Sequence, residues 1–99
     1  MINENMAIRR LVLDILKPHE PSIIELTRSI SELENVRGVN SSLLEVDEEV
    51  KNFKVTVEGE FVLGEVKNLV EEASASIHSI DEVAMGEKLV EKVETPQDR

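Results

Sequence analysis

The spacing of apolar residues changes period four times along this chain, and that alternation constrains the fold more than any other sequence feature. Leu11, Leu13 and Ile15 recur at every second position, as do Phe53, Val55 and Val57. Between them Ile23, Leu26, Ile30 and Leu33 recur at three- and four-residue spacings, and Val62, Val66, Leu69, Val70 and Ala73 do so later. A period of two places side chains on one face of a strand, and a period of three to four places them on one stripe of a helix. Strands are therefore expected over 8–17, 39–47, 52–59 and 75–84, with helices of about four turns after Pro21 and over 61–73. Pro18 and Pro21 bracket His19-Glu20 and end the first strand. Gly64 weakens the second helix near its start.

The order strand, helix, strand, strand, helix, strand lets both helices cover one side of a single antiparallel sheet. Its usual spatial order is 4-1-3-2, so the first and third strands are expected in the centre, in agreement with their strong alternation. The expected fold is a two-layer α+β domain over residues 7–94, with a C-terminal packing segment and flexible termini at 1–6 and 95–99. On the face opposite the helices, alternation places Val12, Leu16, Leu44, Val46 and Ile80 beside Asp14, Lys54 and Thr56, with Ile77 and Ile80 on opposite faces of the last strand. An open face this apolar implies a second chain, hence a homo-oligomer. The tail, with Leu89, Val90 and Val93, is expected to dock onto a neighbouring subunit.

At 99 residues one core is the default. The chain has no cysteine, tryptophan or tyrosine and only two phenylalanines, so the core is aliphatic, and disulfides, thiolate nucleophiles and cysteine-held clusters are excluded. A net charge of −10 and the scarcity of stacking aromatics oppose binding to a nucleic-acid backbone. No run approaches the length of a membrane span and the first residues do not resemble a secretory signal, which implies a cytoplasmic protein.

The segments Arg9–Pro21 and Ile77–Val83, together with Gly38-Val39-Asn40 and Glu45-Val46-Asp47 in order between them, resemble domain-of-unknown-function family 211, small proteins found mainly in archaea. The resemblance implies a ferredoxin-like fold and an oligomeric assembly, and it brings no established enzymatic reaction. Ser41 stands where the family often has a bulkier apolar residue.

Polar residues supply weaker signals. The first and last strands are adjacent in the expected sheet, and alternation puts Asp14, His78 and Glu82 within reach of one another, with Asp81 on the other face. Carboxylates suit magnesium or calcium, and a set containing histidine also suits zinc or manganese. Asp14, His78 and Glu82 are the candidate metal ligands, weighed against ordinary polar packing. Glu45 and Asp47 offer a second oxygen-rich edge, and His19 sits in a proline-restrained loop as a structural cap or a ligand group. Gly59 and Gly64 do not form a phosphate-binding loop. No catalytic set is complete. The sequence therefore favours an oligomeric noncatalytic binding or regulatory module, with a divalent-metal or small-ligand binding protein as the alternative and an enzyme behind both.

Overall fold

A computed structural model describes residues 7–93; the two terminal segments expected to be flexible, 1–6 and 95–99, lie outside the described residues, as does Glu94. The elements are β1 (Ala7–Pro18), α1 (Ile23–Ser31), β2 (Val36–Val46), β3 (Val50–Val62), α2 (Leu63–Glu72) and β4 (Ser76–Ala84). They form one antiparallel sheet in the order β2-β3-β1-β4, with both helices on one side, so the expected ferredoxin-like α+β arrangement is the observed one.

The core forms between the sheet and the helices because the two periodicities bring their apolar stripes into register. Leu11, Leu13 and Ile15 on β1 lie opposite Val57, Val55 and Phe53 on β3. All six are buried against Leu26 and Ile30 of α1 and Val66 and Val70 of α2. Ser22 caps α1, its hydroxyl accepting the Glu25 N–H at 3.2 Å. α1 has nine residues rather than the four turns that the spacing to Leu33 suggests: after Ser31 the chain turns, and Leu33 packs on the core from that turn. Phe61 and Val62 belong to β3, which runs straight into α2 at Leu63.

Five local irregularities change which residues face where. Gly59-Glu60 on β3 stand against Arg9 alone, and β2 carries extra residues at Arg37 and Leu44. On β4, His78 and Asp81 are each inserted between paired positions. An inserted residue resets the alternation of everything beyond it. Ile77 therefore lies opposite Ile15 and Ile80 opposite Leu13, so both face the helix side, contrary to the expectation that alternation set for Ile80. On β2, Glu45 rather than Val46 takes the position opposite Asn52 on the open face.

Among the described residues Lys17 is the one buried charged residue, 1% exposed. Its ammonium donates to the carbonyls of Pro18 (2.6 Å) and Pro21, which ties the β1–α1 loop to the strand end. Burial and the nearby Lys51 lower its proton affinity below the usual lysine value. Unfolding restores the ordinary affinity, so the unfolded chain binds more protons at alkaline pH just below 10.5. Lys17 should therefore make stability rise with pH through that alkaline interval. Urea titrations across it should show the rise in wild type and not in Lys17→Met.

Candidate functional site

The open face of the sheet divides into two polar clusters, because the inserted residues on β4 place both members of His78-Ser79 and of Asp81-Glu82 toward it. The first cluster is built around Arg10 on the central strand β1. Its Nε donates to Glu58 Oε2 of β3 at 2.7 Å, and its Nη1 to Glu82 Oε2 of β4 at 3.2 Å. Both terminal nitrogens grip Glu91 of the tail, at 2.8 and 3.1 Å. Arg9 adds hydrogen bonds to the carbonyls of Gly86 and Glu87. The tail segment thus returns over its own sheet as far as Glu91, and it forms no regular helix among the described residues.

Three carboxylates around one guanidinium raise the proton affinity of Arg10, Glu91 and Glu58 contributing most, and Arg10 holds Glu91 below its usual value. Beside this cluster Asp81 accepts from Ser79 Oγ at 2.7 Å and pairs with Lys54 at 3.1 Å, both of which lower its proton affinity. A carboxylate with a depressed folded value contributes stability above its ordinary value, and that contribution is lost as pH falls toward the folded value. The Glu91 contribution should therefore fade below about 4.5 and that of Asp81 below about 3.8. Hydrogen exchange should show residues 86–91 losing protection on acidification, and Glu91→Gln should abolish this step while leaving the core amides protected.

The second cluster surrounds a shallow hollow of about 330 Å³ lined by Asp14, Leu16, Glu45, Asp47, Asn52 and His78, among others. Asp14 accepts from the Asn52 amide, whose nitrogen also donates to the Ile15 carbonyl at 2.9 Å. Asp47 caps the β2–β3 turn: its Oδ1 accepts from the N–H groups of Glu49 (3.1 Å) and Val50 (3.0 Å), which hold its carboxyl below the usual range. His19 reaches the Glu48 carbonyl at 3.2 Å and so braces that turn from the preceding loop.

Of the residues singled out as metal ligands, Asp14 and His78 share this hollow, whereas Glu82 belongs to the Arg10 cluster. Glu45 and Asp47, weighed separately in the sequence, join Asp14 and His78 instead. Among the described residues no three His, Asp or Glu side chains sit together as a ready-made metal set. Arg10 and Asn52 were not singled out by sequence reasoning. The available signal for Arg10 was a basic residue on a central strand of an acidic chain, where neighbouring carboxylates must gather.

The model of one family, DUF211, described as uncharacterised ArCR, matches residues 9–99. The chain belongs to the DUF211 family. Uncharacterized protein MJ0319 of Methanocaldococcus jannaschii is 50% identical over 93 residues, covering 93% of this chain and 96% of the relative. The match runs through both open-face clusters, and the archaeal source of the relative agrees with the expectation drawn from the sequence. None of the described helices of this DUF211 chain is long and apolar enough to cross a membrane.

Proposed function

We propose that this DUF211 chain is an oligomeric noncatalytic binding or regulatory module that assembles through the edges of its sheet. The observation that carries this reading is where the uncovered apolar surface lies. Of the nine large apolar residues left exposed among the described residues, Leu43, Leu44 and Val46 are on β2 and Ile80 and Val83 on β4, the two edge strands. An edge with free backbone donors and acceptors and apolar side chains is a template for another chain. Light scattering coupled to size-exclusion chromatography tests the reading. A molar mass above that of one 11.1 kDa chain is expected, and a monomer at every working concentration rejects assembly.

The second reading, a divalent-cation or small-ligand binding protein, is favoured by one observation, that Asp14, His78, Glu45 and Asp47 all line one hollow, where a ligand would have to draw them together. It retains two of the three ligands proposed from the sequence. Magnesium and calcium are the ions suited to the carboxylates, zinc and manganese to a set that includes His78. Under this reading calorimetric titration gives saturable heat with one of these ions, lost in Asp14→Asn. Absence of saturable heat with all four counts against it.

A further inference from the structure

The two edges of the sheet are not equivalent. On β4 the insertions at His78 and Asp81 leave only Ser79 and Ile80 between them, and the strand presents Asp81 and Glu82 together. Broken pairing and like charge both discourage a copy of β4 from adding there. β2 is different: between its insertions at Arg37 and Leu44 it runs without interruption from Gly38 to Leu43. Its two charged residues have opposite sign and stand at opposite ends, Arg37 and Glu45. Both are exposed, and neither has an ion-pair partner among the described residues.

We infer that β2 pairs antiparallel with β2 of a second copy, about a two-fold axis through Ser41, so that Arg37 of each copy meets Glu45 of the other. The inference rests on the assembly reading above and specifies its partner. A two-fold contact uses the same surface twice, which makes two identical edge strands antiparallel. Facing residues in an antiparallel pair share a side of the sheet, so only registers that keep helix-side residues together are allowed. Val39, Ser41 and Leu43 lie opposite Val57, Val55 and Phe53 and so face the helices. Centred on Ser41, the pairing sets Val39 against Leu43 and Asn40 against Ser42.

The same register brings the two charged ends together on the open face. Glu45 is carried there by the Leu44 insertion, and Arg37 borders an open-face hollow with Thr56 and Glu58. Two ion pairs therefore flank the axis symmetrically. Moving the axis one residue to Asn40 sets Arg37 against Leu43, and moving it to Ser42 sets Val39 against Glu45. Neither alternative matches sides or charges.

The helix side of the axis is a mixed shoulder of Ile23, Ile24 and Leu43 beside the polar Thr27, Arg28 and Ser31. Ser41 lies in a groove with Ile23, Ile24 and Thr27 of α1, its hydroxyl 2.7 Å from Thr27 Oγ1. Ile24 is 75% exposed and Leu43 54%. Because the axis passes through Ser41, this shoulder meets its own copy and both residues gain cover. The product is an eight-stranded sheet with all four helices on one side.

The chain has no cysteine, so Ser41→Cys introduces a single thiol at the one position that faces itself. Facing residues of an antiparallel pair have Cα atoms about 4.5–5.5 Å apart, within disulfide reach. Mild oxidation is expected to give a disulfide-linked dimer from Ser41→Cys and none from Ser79→Cys on the other edge. Arg37→Glu and Glu45→Arg, each checked for native circular dichroism, should raise the dimer dissociation constant about tenfold or more, and the double reversal should restore it. A wild type that is monomeric throughout overturns both this interface and the assembly reading. A stable wild-type oligomer that does not cross-link at position 41 and ignores the charge reversals overturns this interface alone.

Discussion

Gly59→Ala should destabilise the domain by about 4 kcal/mol, combining the usual costs of overpacking and of a strained backbone, each about 1–3 kcal/mol. Gly59 has a φ of +154°, a backbone conformation that glycine adopts freely and other residues rarely. A Cβ added there would lie 2.1 Å from the Asn35 carbonyl oxygen and 2.9 Å from the Arg37 nitrogen and the Val36 Cα. All three are backbone atoms at the start of β2, so no side-chain rotation relieves the clash. The close approach has a purpose in the fold: the Asn35 carbonyl accepts the Glu60 N–H at 2.8 Å, which fastens the α1–β2 turn to β3 where Gly59-Glu60 bulge against Arg9. Urea titration should show a lower midpoint with little change in slope. Gly38→Ala is the control, since nothing lies within 4 Å of a Cβ at that position. Its effect should stay within about 0.5 kcal/mol, and equal losses for the two variants would refute the steric account.

The element order and the two central strands were legible in the sequence because they depend on repeated signals. Leu11, Leu13 and Ile15 vote together for one face, as do Phe53, Val55 and Val57, and a single misplaced residue does not change the outcome. The open face was harder to read because one inserted residue outweighs any such vote. Nothing in Ile77-His78-Ser79-Ile80-Asp81-Glu82 announces two insertions: polar and apolar residues mix there, and hydrogen bonding to β1 decides which residue is left unpaired. The consequence for the site is direct. Strict alternation separated Asp81 from Glu82 and joined Glu82 to Asp14, whereas the bulged strand gives Glu82 to Arg10 and Asp81 to Lys54. It likewise separated Glu45 from Asp14, and the Leu44 insertion brings both to the rim of one hollow. The tail's hold on Arg10 was not legible for a different reason: it is ionic, and hydrophobic spacing carries no information about it.

Leu13→Ala should cost about 3–4 kcal/mol, within the range for a fully buried leucine truncated to alanine, while Ile80→Ala should cost less than about 1 kcal/mol. The two residues face each other across the β1–β4 ladder and point to the same side of the sheet. Leu13 is 0% exposed and Ile80 50% exposed. Burial differs because β1 is central and roofed by both helices, whereas β4 is an edge strand and the core contact there passes to Ile77 instead. Removing Leu13 opens a cavity that Val55, Ile15 and the helix residues above cannot fill without leaving their own packing. Removing part of Ile80 takes away a side chain already half in water. Chemical denaturation monitored by circular dichroism separates the cases, the chain having no tryptophan for fluorescence. If Ile80 stood on the open face, as unbroken alternation requires, Ile80→Glu would bring a carboxylate beside Asp14 and Glu82. On the helix side that charge enters water at the edge, so Ile80→Glu should unfold at nearly the same urea concentration as Ile80→Gln, with a difference independent of salt. A large, salt-sensitive loss for the glutamate alone would place the residue on the acidic face and remove the insertion at Asp81.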